Sequence, residues 1–301
     1  MIILGSGPAA LTAAVYTTRG NMNTLVIAGS QYGGQLMLTT EVENYPGFPQ
    51  GVQGPDLMDM MIKQAERFNA EFIYDDATDV DFKSRPFKVF KGEDVYEGRT
   101  IVVATGASAR WLGLESEKRL LGRGVSSCAT CDGHFFKDKD VLVVGGGDSA
   151  MEEALFLSRM VNSIRMIHRR DELRASKIMQ DRVVENSKID FIWDSVVVEI
   201  LGEQKVSGAV IENVKTAEKT ELECDGVFVA IGHKPNTAFL KGKLELDRKG
   251  YIKVQDHTKT SVEGVFVGGD VHDYRYRQAV TAAGFGCMAG MDAEKWLEEQ
   301  A

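Results

Sequence analysis

Short apolar runs and helix-forming segments alternate from the start of the chain. Residues 2–4 are apolar and lead into Gly5-Ser6-Gly7-Pro8-Ala9-Ala10. Residues 11–19 are good helix formers closed by Gly20, and residues 25–28 form the next apolar run. Strand, glycine turn, helix and strand in this order predict a βαβ unit with the spacing G-x-G-x-x-A.

The same pattern returns later in the chain, where an apolar run at 141–144 enters a second glycine turn. A shift of 140 residues aligns the two turns without gaps, so Gly5, Gly7 and Ala10 fall on Gly145, Gly147 and Ala150. Residues 102–106 likewise have a counterpart in residues 228–232. This internal repeat predicts an α/β protein with two related Rossmann-like, three-layer nucleotide-binding domains.

The final segment bears on how the two domains are connected. Residues 265–267 predict a strand, and a long helix is predicted from about 278 to 299. This helix follows the second unit and can pack back on the first. We therefore predict a first domain of residues 1–110 and 237–301, with residues 111–236 inserted as the second domain.

Between these regions the pattern is less regular. Residues 31–56 are rich in Gly, Thr, Asn and Pro and predict a long, ordered, functional loop. An amphipathic helix is predicted over 56–69, then short strands over 71–97 and a buried strand over 101–104.

The residues after the second strand of each unit distinguish the two nucleotides. An acidic residue there would hold ribose hydroxyls, but the first unit has Ala28-Gly29-Ser30. The second unit has His168-Arg169-Arg170, with Arg174 close behind, and arginine suits a ribose 2′-phosphate. We predict NADPH in the second unit. The alternatives are an ordinary tight turn and a solvated basic face.

The first unit then requires another dinucleotide, for which FAD is the candidate. The loop Gly33-Gly34-Gln35 and the region of Thr39 and Asn44 are predicted to line the isoalloxazine ring. Asp270 is predicted to accept a hydrogen bond from a ribityl hydroxyl. The helix entered at Arg277-Gln278-Ala279 would point its positive end at the flavin.

The sequence contains four cysteines, and two form the pair Cys128-x-x-Cys131. Such a pair can close a redox-active disulfide, or it can supply half of a zinc site that needs further ligands. Asp132 follows directly and fits either a general acid/base or a helix-capping turn residue. Cys224 and Cys287 are single and are predicted to be buried packing residues.

Composition excludes several classes of function. The net charge of −9 argues against nucleic-acid and anionic-membrane binding. No apolar run reaches the roughly 18 residues of a membrane span, and the chain enters its first motif too early for a signal peptide. Few cysteines with one special pair favour a cytoplasmic protein.

Taken together, these motifs resemble the low-molecular-weight thioredoxin reductases along nearly the whole chain. The resemblance rests on residues 5–9, 33–36, 40–47, 104–106, 128–133, 168–171 with Arg174, 230–233, and 269–270 with 277–279. It implies a cytoplasmic homodimeric flavoprotein that passes electrons from NADPH through FAD and a disulfide to thioredoxin. It also implies that Cys131 faces the flavin, Cys128 attacks the partner disulfide and Asp132 is the acid/base.

The resemblance also assigns cofactor contacts to matching positions. For FAD these are Gly5, Gly7, Pro8, Ala9, Gly33, Gly34, Gln35, Leu36, Thr39, Asn44, Ala104, Thr105, Gly106, Gly269, Asp270, Arg277, Gln278 and Ala279. For NADPH they are Gly145, Gly147, Asp148, Ser149, His168, Arg169, Arg170, Arg174, Ile231 and Gly232. No metal site is expected. Segments 107–116 and 233–240 are expected to be hinges for domain rotation.

Two other functions fit the same residues. The first is a related NADPH–flavin enzyme that acts on another small redox protein or on a small-molecule dithiol. The second is a flavoprotein without turnover that uses the cysteine pair as a redox switch. The complete NADPH set favours an enzyme, because a sensor has no need for a steady electron source.

Overall fold

The computed structural model describes residues 1–300, which divide into two compact units. Unit 1 consists of Met1–Ser108 together with the chain from Lys234 onward, and unit 2 consists of Ala109–His233. The chain therefore leaves unit 1 once and returns to it once.

The units are built from short strands and seven helices within the described residues. The strands are β1 (Ile2–Leu4), β2 (Leu25–Ile27), β3 (Glu41–Val42), β4 (Val52–Gln53), β5 (Glu71–Ile73), β6 (Asp79–Asp81), β7 (Phe87–Lys91), β8 (Asp94–Gly98), β9 (Ile101–Val103), β10 (Ala107–Ala109), β11 (Val125–Ser126), β12 (Asp140–Val144), β13 (Ser163–Ile167), β14 (Ile189–Ile192), β15 (Ser195–Leu201), β16 (Gly208–Asn213), β17 (Lys219–Glu223), β18 (Gly226–Val229), β19 (His233–Pro235) and β20 (Val265–Val267). The helices are α1 (Pro8–Arg19), α2 (Gly54–Arg67), α3 (Glu115–Leu120), α4 (Ala129–Asp132), α5 (Asp148–Leu157), α6 (Lys177–Val184) and α7 (Ala279–Glu299).

Each unit contains a five-stranded parallel sheet, and the two sheets have equivalent strand orders. The order is β20-β9-β1-β2-β5 in unit 1 and β11-β18-β12-β13-β14 in unit 2. The register also repeats, since Ile2 pairs with Leu25 and, 140 residues later, Leu142 pairs with Arg165. The repeat found in the sequence therefore includes strand pairing, and the predicted Rossmann-like class is confirmed.

Unit 1 has three layers because its parallel strands are buried on both faces. On one face Ile3, Val26 and Val102 pack with the alanines of α1 and α7. On the other face Ile2 and its neighbours pack against the antiparallel sheet β6-β7-β8. Strands covered on both sides read as continuous apolar runs, which explains the pattern seen in the sequence.

Unit 2 repeats this layering with its own elements. Val141 and Val143 pack against α5 through Ala150, Met151 and Ala154. The opposite face of the sheet, which includes Leu142, packs against the antiparallel sheet β15-β16-β17. The inserted unit thus has its own core, as expected for an independent domain.

The long loop predicted at 31–56 contains regular structure that the sequence pattern did not predict. Residues 34–38 form a short 3₁₀ helix, and β3 pairs with β4 through Val42 and Val52. Helix α2 begins at Gly54, two residues before the predicted start. A Cβ atom on Gly54 would lie 2.1 Å from the carbonyl oxygen of Leu36, so the close packing of this loop requires glycine.

The first and last helices of unit 1 pack together through small residues. Gly286 of α7 lies against the backbone of Ala9 in α1, and Gly290 lies against Ala13. Ala289 and Ala293 complete a buried stripe on α7. This contact explains how a segment distant in sequence joins the first unit.

Within residues 1–300, the helices lack the combination of length and apolar character that crossing a bilayer demands.

Replacing Gly286 with alanine should destabilise unit 1. The added Cβ would lie 2.0 Å from the carbonyl oxygen of Ala9, and backbone cannot yield as a flexible side chain would. We expect Gly286→Ala to lower the free energy of unfolding by about 1–3 kcal/mol in denaturant titrations. Gly284→Ala is the matched control, since that position has open space and should gain up to about 1 kcal/mol. Equal effects of the two changes would contradict this packing.

Candidate functional site

The cysteine pair forms a disulfide in unit 2. The Cα atoms of Cys128 and Cys131 are 5.3 Å apart and the sulfurs are bonded to each other. Cys128 directly precedes the short helix α4, and Cys131 lies within it. Among residues 1–300, His, Cys, Asp and Glu side chains nowhere form a group of three or more suited to a metal ion. The pair is therefore a disulfide in this structure, and the zinc half-site has no further ligands there.

Asp132 is connected to the disulfide through Ser126. The hydroxyl of Ser126 donates to the Asp132 carboxylate and accepts the backbone N–H of Cys128 at 3.0 Å. Burial raises the pKa of the Asp132 carboxyl, and the Ser126 hydrogen bond partly opposes this rise. The carboxylate caps neither α4 nor the following 3₁₀ turn. Its geometry therefore suits a proton carrier better than a helix cap.

A second carboxylate reaches the same segment from α5. Glu153 accepts the backbone N–H of Ala129, the residue that follows Cys128. Ala129 is itself buried. This contact could not be predicted from the sequence pattern, because Glu153 lies 24 residues further along the chain.

The other two cysteines differ in environment. Cys224 is buried, and desolvation raises the pKa of its thiol to about 12. Cys287 is only partly buried, with its sulfur 3.8 Å from the sulfur of Met291. The prediction of burial is thus confirmed for Cys224 and wrong for Cys287. Cys287 lies near the edge of the stripe that α7 presents to α1, so one side of it faces solvent.

The glycine turn of unit 1 depends on two glycines with different roles. Gly5 has φ +115°, and a Cβ atom there would lie 2.3 Å from the carbonyl oxygen of Ala104. A Cβ atom on Gly7 would meet nothing within 4 Å, so the backbone at that point faces open space. Pro8 and Ala9 then begin α1. Open space at a helix start suits a pyrophosphate.

Other predicted residues of unit 1 are joined to this turn by hydrogen bonds. Ser6 donates to the carbonyl of Ala28 at 2.6 Å and accepts the N–H of Gly33 at 2.9 Å. This holds the Gly33–Leu36 loop beside the glycine turn. Gly269 also lies close, because a Cβ atom there would be 2.8 Å from that of Ala9.

Two further hydrogen bonds of unit 1 involve predicted residues. The amide of Asn44 donates to the side-chain oxygen of Gln278 at 3.2 Å, which joins the long loop to the residue directly before α7. Thr105, between Ala104 and Gly106, donates to the carbonyl of Asn236 at 2.9 Å. Thr39 follows the 3₁₀ helix and donates its N–H to the carbonyl of Leu36 at 3.4 Å.

Asp76 supplies an acid that the sequence pattern did not reveal. Its carboxylate accepts both the N–H and the hydroxyl of Ser30, at 3.0 Å and 2.6 Å. Ser30 follows β2 and Asp76 follows the neighbouring β5, and Ile27 pairs with Ile73 in register. The strand end that lacks an acid in sequence therefore has one from the next strand.

A single turn of unit 1 contains every buried side-chain nitrogen or oxygen without a hydrogen-bond partner among the described residues. These atoms are Oδ1 of Asp270, Nε2 of His272 and Oδ2 of Asp273. Burial and the nearby Asp273 raise the pKa of Asp270 to about 7, whereas burial lowers that of His272 to about 4. Unpaired buried polar atoms are costly, so this turn is built to receive a hydrogen-bonding group.

The glycine turn of unit 2 reproduces that of unit 1. Gly145 has φ +150°, and a Cβ atom there would lie 2.5 Å from the carbonyl oxygen of Ala230. Gly147 again faces open space. Asp148 accepts both the N–H and the hydroxyl of Ser176 at 2.8 Å, which fastens the arginine-containing segment to this turn. Ser149 follows in the first turn of α5.

The basic residues after β13 fall into two groups. His168 is buried beside Gly146, where desolvation lowers its pKa and Nε2 contacts the carbonyl of Glu172 at 3.0 Å. Arg169, Arg170 and Arg174 are exposed, and none forms an ion pair with another described residue. Ile231 and Gly232 follow β18 at the same carboxyl edge of the sheet. The arginines rather than the histidine are thus available to an anion.

The accessibility of the cysteines can be checked by thiol labelling. In the native oxidised protein at pH 8, Cys224 should not react, since it is buried and its thiol stays protonated well below pH 12. Cys287 should account for the rapid labelling, which Cys287→Ser should remove and Cys224→Ser should leave. Mild reduction should add two reactive thiols. If Cys224→Ser removed the rapid phase of labelling, the burial of that side chain would be contradicted.

Comparison with known proteins agrees with these features. The pyridine nucleotide-disulphide oxidoreductase family matches residues 1–286. A thioredoxin reductase of Mycolicibacterium smegmatis is 52% identical over 301 residues, covering 100% of this chain and 97% of the relative. One of Streptomyces coelicolor is 54% identical over 300 residues, covering 99% and 93%.

A solved structure gives the same result. The crystal structure of thioredoxin reductase from Streptococcus pyogenes matches with a TM-score of 0.95 and 45% identity, covering 99% of this chain and 97% of that one. The resemblance inferred from the motifs is thus confirmed over the full length. The chain belongs to the pyridine nucleotide-disulphide oxidoreductases, which use a flavin and a pyridine nucleotide, and within them to the thioredoxin reductases.

Proposed function

We propose that this protein is an NADPH-dependent thioredoxin-disulfide reductase that passes electrons through FAD and the Cys128–Cys131 disulfide. The observation that carries the proposal is this disulfide with a buried carboxylate connected to it, in a unit that also contains a nucleotide turn. The relatives named thioredoxin reductase support thioredoxin as the partner. A homodimeric state and a cytoplasmic location rest on the resemblance alone.

FAD fits unit 1 on two observations. The backbone at Gly7 faces open space at the start of α1, which suits the pyrophosphate. Oδ1 of Asp270 is buried without a partner and would accept from a ribityl hydroxyl. The FAD site would be completed by Gly33–Leu36, Thr39, Asn44, Ala104–Gly106, Gly269 and Arg277–Ala279.

NADPH fits unit 2 for parallel reasons. Gly147 faces open space at the start of α5. Three exposed arginines lie on the segment after β13, and they form no ion pair within residues 1–300. Arginine binds a phosphate through paired N–H donors, which suits the 2′-phosphate. The NADPH site would be completed by Gly145, Asp148, Ser149, Ile231 and Gly232. The buried side chain of His168 would pack against the glycine turn.

The two bound nucleotides would supply hydride and a two-electron carrier for reducing the disulfide. The residues of the chain would then carry out the thiol–disulfide exchange and the proton transfers. Reduction of the Cys128–Cys131 bond yields two thiols and requires protons as well as electrons. Asp132 lies next to Cys131, and its raised pKa keeps a proton available nearer neutral pH than for an ordinary carboxyl.

Exchange with the partner follows as two sulfur displacements. The thiolate of Cys128 attacks one sulfur of the partner disulfide, forming a mixed disulfide and releasing the second partner sulfur as a thiolate that takes a proton. The thiolate of Cys131 then attacks Cys128, which re-forms the internal disulfide and releases the reduced partner. Asp132 would accept the proton that Cys131 loses.

An anaerobic titration tests the electron path. NADPH should bleach the flavin absorbance of the purified holoenzyme, and oxidised thioredoxin should then restore it. Restoration by a different small redox protein or by a small-molecule disulfide, but not by thioredoxin, would favour a related dithiol enzyme. Absence of bleaching would reject the NADPH assignment.

Cys128→Ser separates the two halves of this path. It should abolish steady-state reduction of thioredoxin and leave flavin bleaching by NADPH intact, because hydride transfer does not involve this sulfur. Cys224→Ser is the control and should retain turnover, since Cys224 is buried away from the exchange chemistry. Persistent turnover in Cys128→Ser would disprove the role given to Cys128.

The arginines should determine nucleotide preference. Replacing Arg169 and Arg170 with alanine should raise KM for NADPH by about 10-fold or more, since each lost charged contact is worth roughly 1.5–3 kcal/mol. KM for NADH should change little. Arg182→Ala on α6 is a control that removes an exposed arginine elsewhere in unit 2. Equal changes for the two nucleotides would refute recognition of the 2′-phosphate.

A further inference from the structure

Glu153 occupies an unusual position relative to the redox disulfide. It lies on α5, whose first residue is Asp148 in the nucleotide turn, and its side chain is partly buried. Its Oε2 atom accepts the N–H of Ala129, one residue beyond Cys128. A single helix therefore begins at the nucleotide turn and contacts the cysteine segment.

This contact differs from the other backbone bonds of the segment. The N–H groups of Cys131 and Asp132 donate to the carbonyl of Cys128, and the N–H of Cys128 donates to Ser126. Those acceptors are neutral and lie on the segment or just before it. Ala129 instead donates to an acidic side chain from a separate element, and hydrogen bonds to a charged acceptor are the stronger kind.

A carboxylate at this place has a second effect, through its charge. It contacts the N–H of Ala129, which lies between the two cysteines, so its negative charge opposes the charge of a thiolate formed on either of them. Thiolates are the reactive form in exchange, and their population depends on neighbouring charge. The same residue can therefore fix the position of the pair and limit its ionisation.

We propose that Glu153 is a positioning residue for the redox pair, which anchors Cys128 to α5 and keeps the reduced cysteines protonated until exchange. The inference deepens the proposed function, because it rests on the role given there to the Cys128–Cys131 pair. The outcome that decides it is the alkylation of the thiols in the reduced holoenzyme, measured without thioredoxin. Failure of thioredoxin turnover would therefore be distinguishable from failure of this inference.

Other charged groups near the pair must be held constant in that test. The titratable and charged groups on the cysteine segment and on the element packed against it are Asp132, His134, Lys137, Asp148, Glu152, Glu153 and Arg159. Of these, Glu152 offers the matched control. It is the preceding residue on α5, and its exposed side chain forms no hydrogen bond or ion pair with another described residue.

The experiment measures alkylation of the phosphine-reduced holoenzyme by iodoacetamide as a function of pH. The background is Cys287→Ser, which removes the half-buried thiol, while Cys224 remains protonated and buried. Glu153→Gln keeps an acceptor for the Ala129 N–H and removes the charge. We expect its alkylation midpoint to fall by about one pH unit, which is about tenfold more thiolate at a given pH below the midpoint. Glu152→Gln should leave the midpoint unchanged.

A second variant separates charge from anchoring. Glu153→Ala removes both the charge and the acceptor, so it should lower the midpoint and, unlike Glu153→Gln, also slow thioredoxin reduction through a loss in kcat. Flavin content and far-ultraviolet circular dichroism establish that each variant is folded. An unchanged midpoint in folded Glu153→Gln, or an equal shift in Glu152→Gln, would overturn the inference.

Discussion

The close approach of a glycine to a neighbouring backbone carbonyl is the constraint on which both units depend. Gly5 meets Ala104 and Gly145 meets Ala230, at distances that leave no space for a Cβ atom. Each contact brings the end of one parallel strand against the turn that follows its neighbour. The next helix can then start with its first N–H groups facing open space. A residue with a side chain at either position would force these strand ends apart.

Much of the fold could be predicted from the sequence because its signals are local. The glycine turns and the apolar strands are patterns of neighbouring residues. The shift of 140 residues relates one set of these patterns to the other, and the strand register follows the same shift. The contacts of Asp76 and Glu153 depend instead on which strands and helices become neighbours. The contact between Ser30 and Asp76 cannot be predicted from their spacing in the sequence, because it depends on the pairing of β2 with β5. The partial exposure of Cys287 likewise depends on how α7 is turned toward α1.

Two carboxylates with unlike environments lie at the cysteine segment. Asp132 is buried and accepts a hydrogen bond from Ser126, and burial favours its protonated form. Glu153 contacts the backbone directly from α5. One is suited to carrying a proton and the other to holding a charge in place.

The packing of α7 on α1 has a consequence for how the chain is made. Strand β20 and helix α7 complete the sheet and the helical layer of unit 1, yet both lie near the carboxyl terminus. Unit 2 is one continuous segment and is fully synthesised before β20 and α7. The amino-terminal segment of unit 1 therefore lacks these two elements until synthesis is nearly complete. During that interval the apolar residues of β9 and α1 that they will cover stay open to water. The inserted unit can thus mature first, and the first-made segment is the one with most need of protection by chaperones.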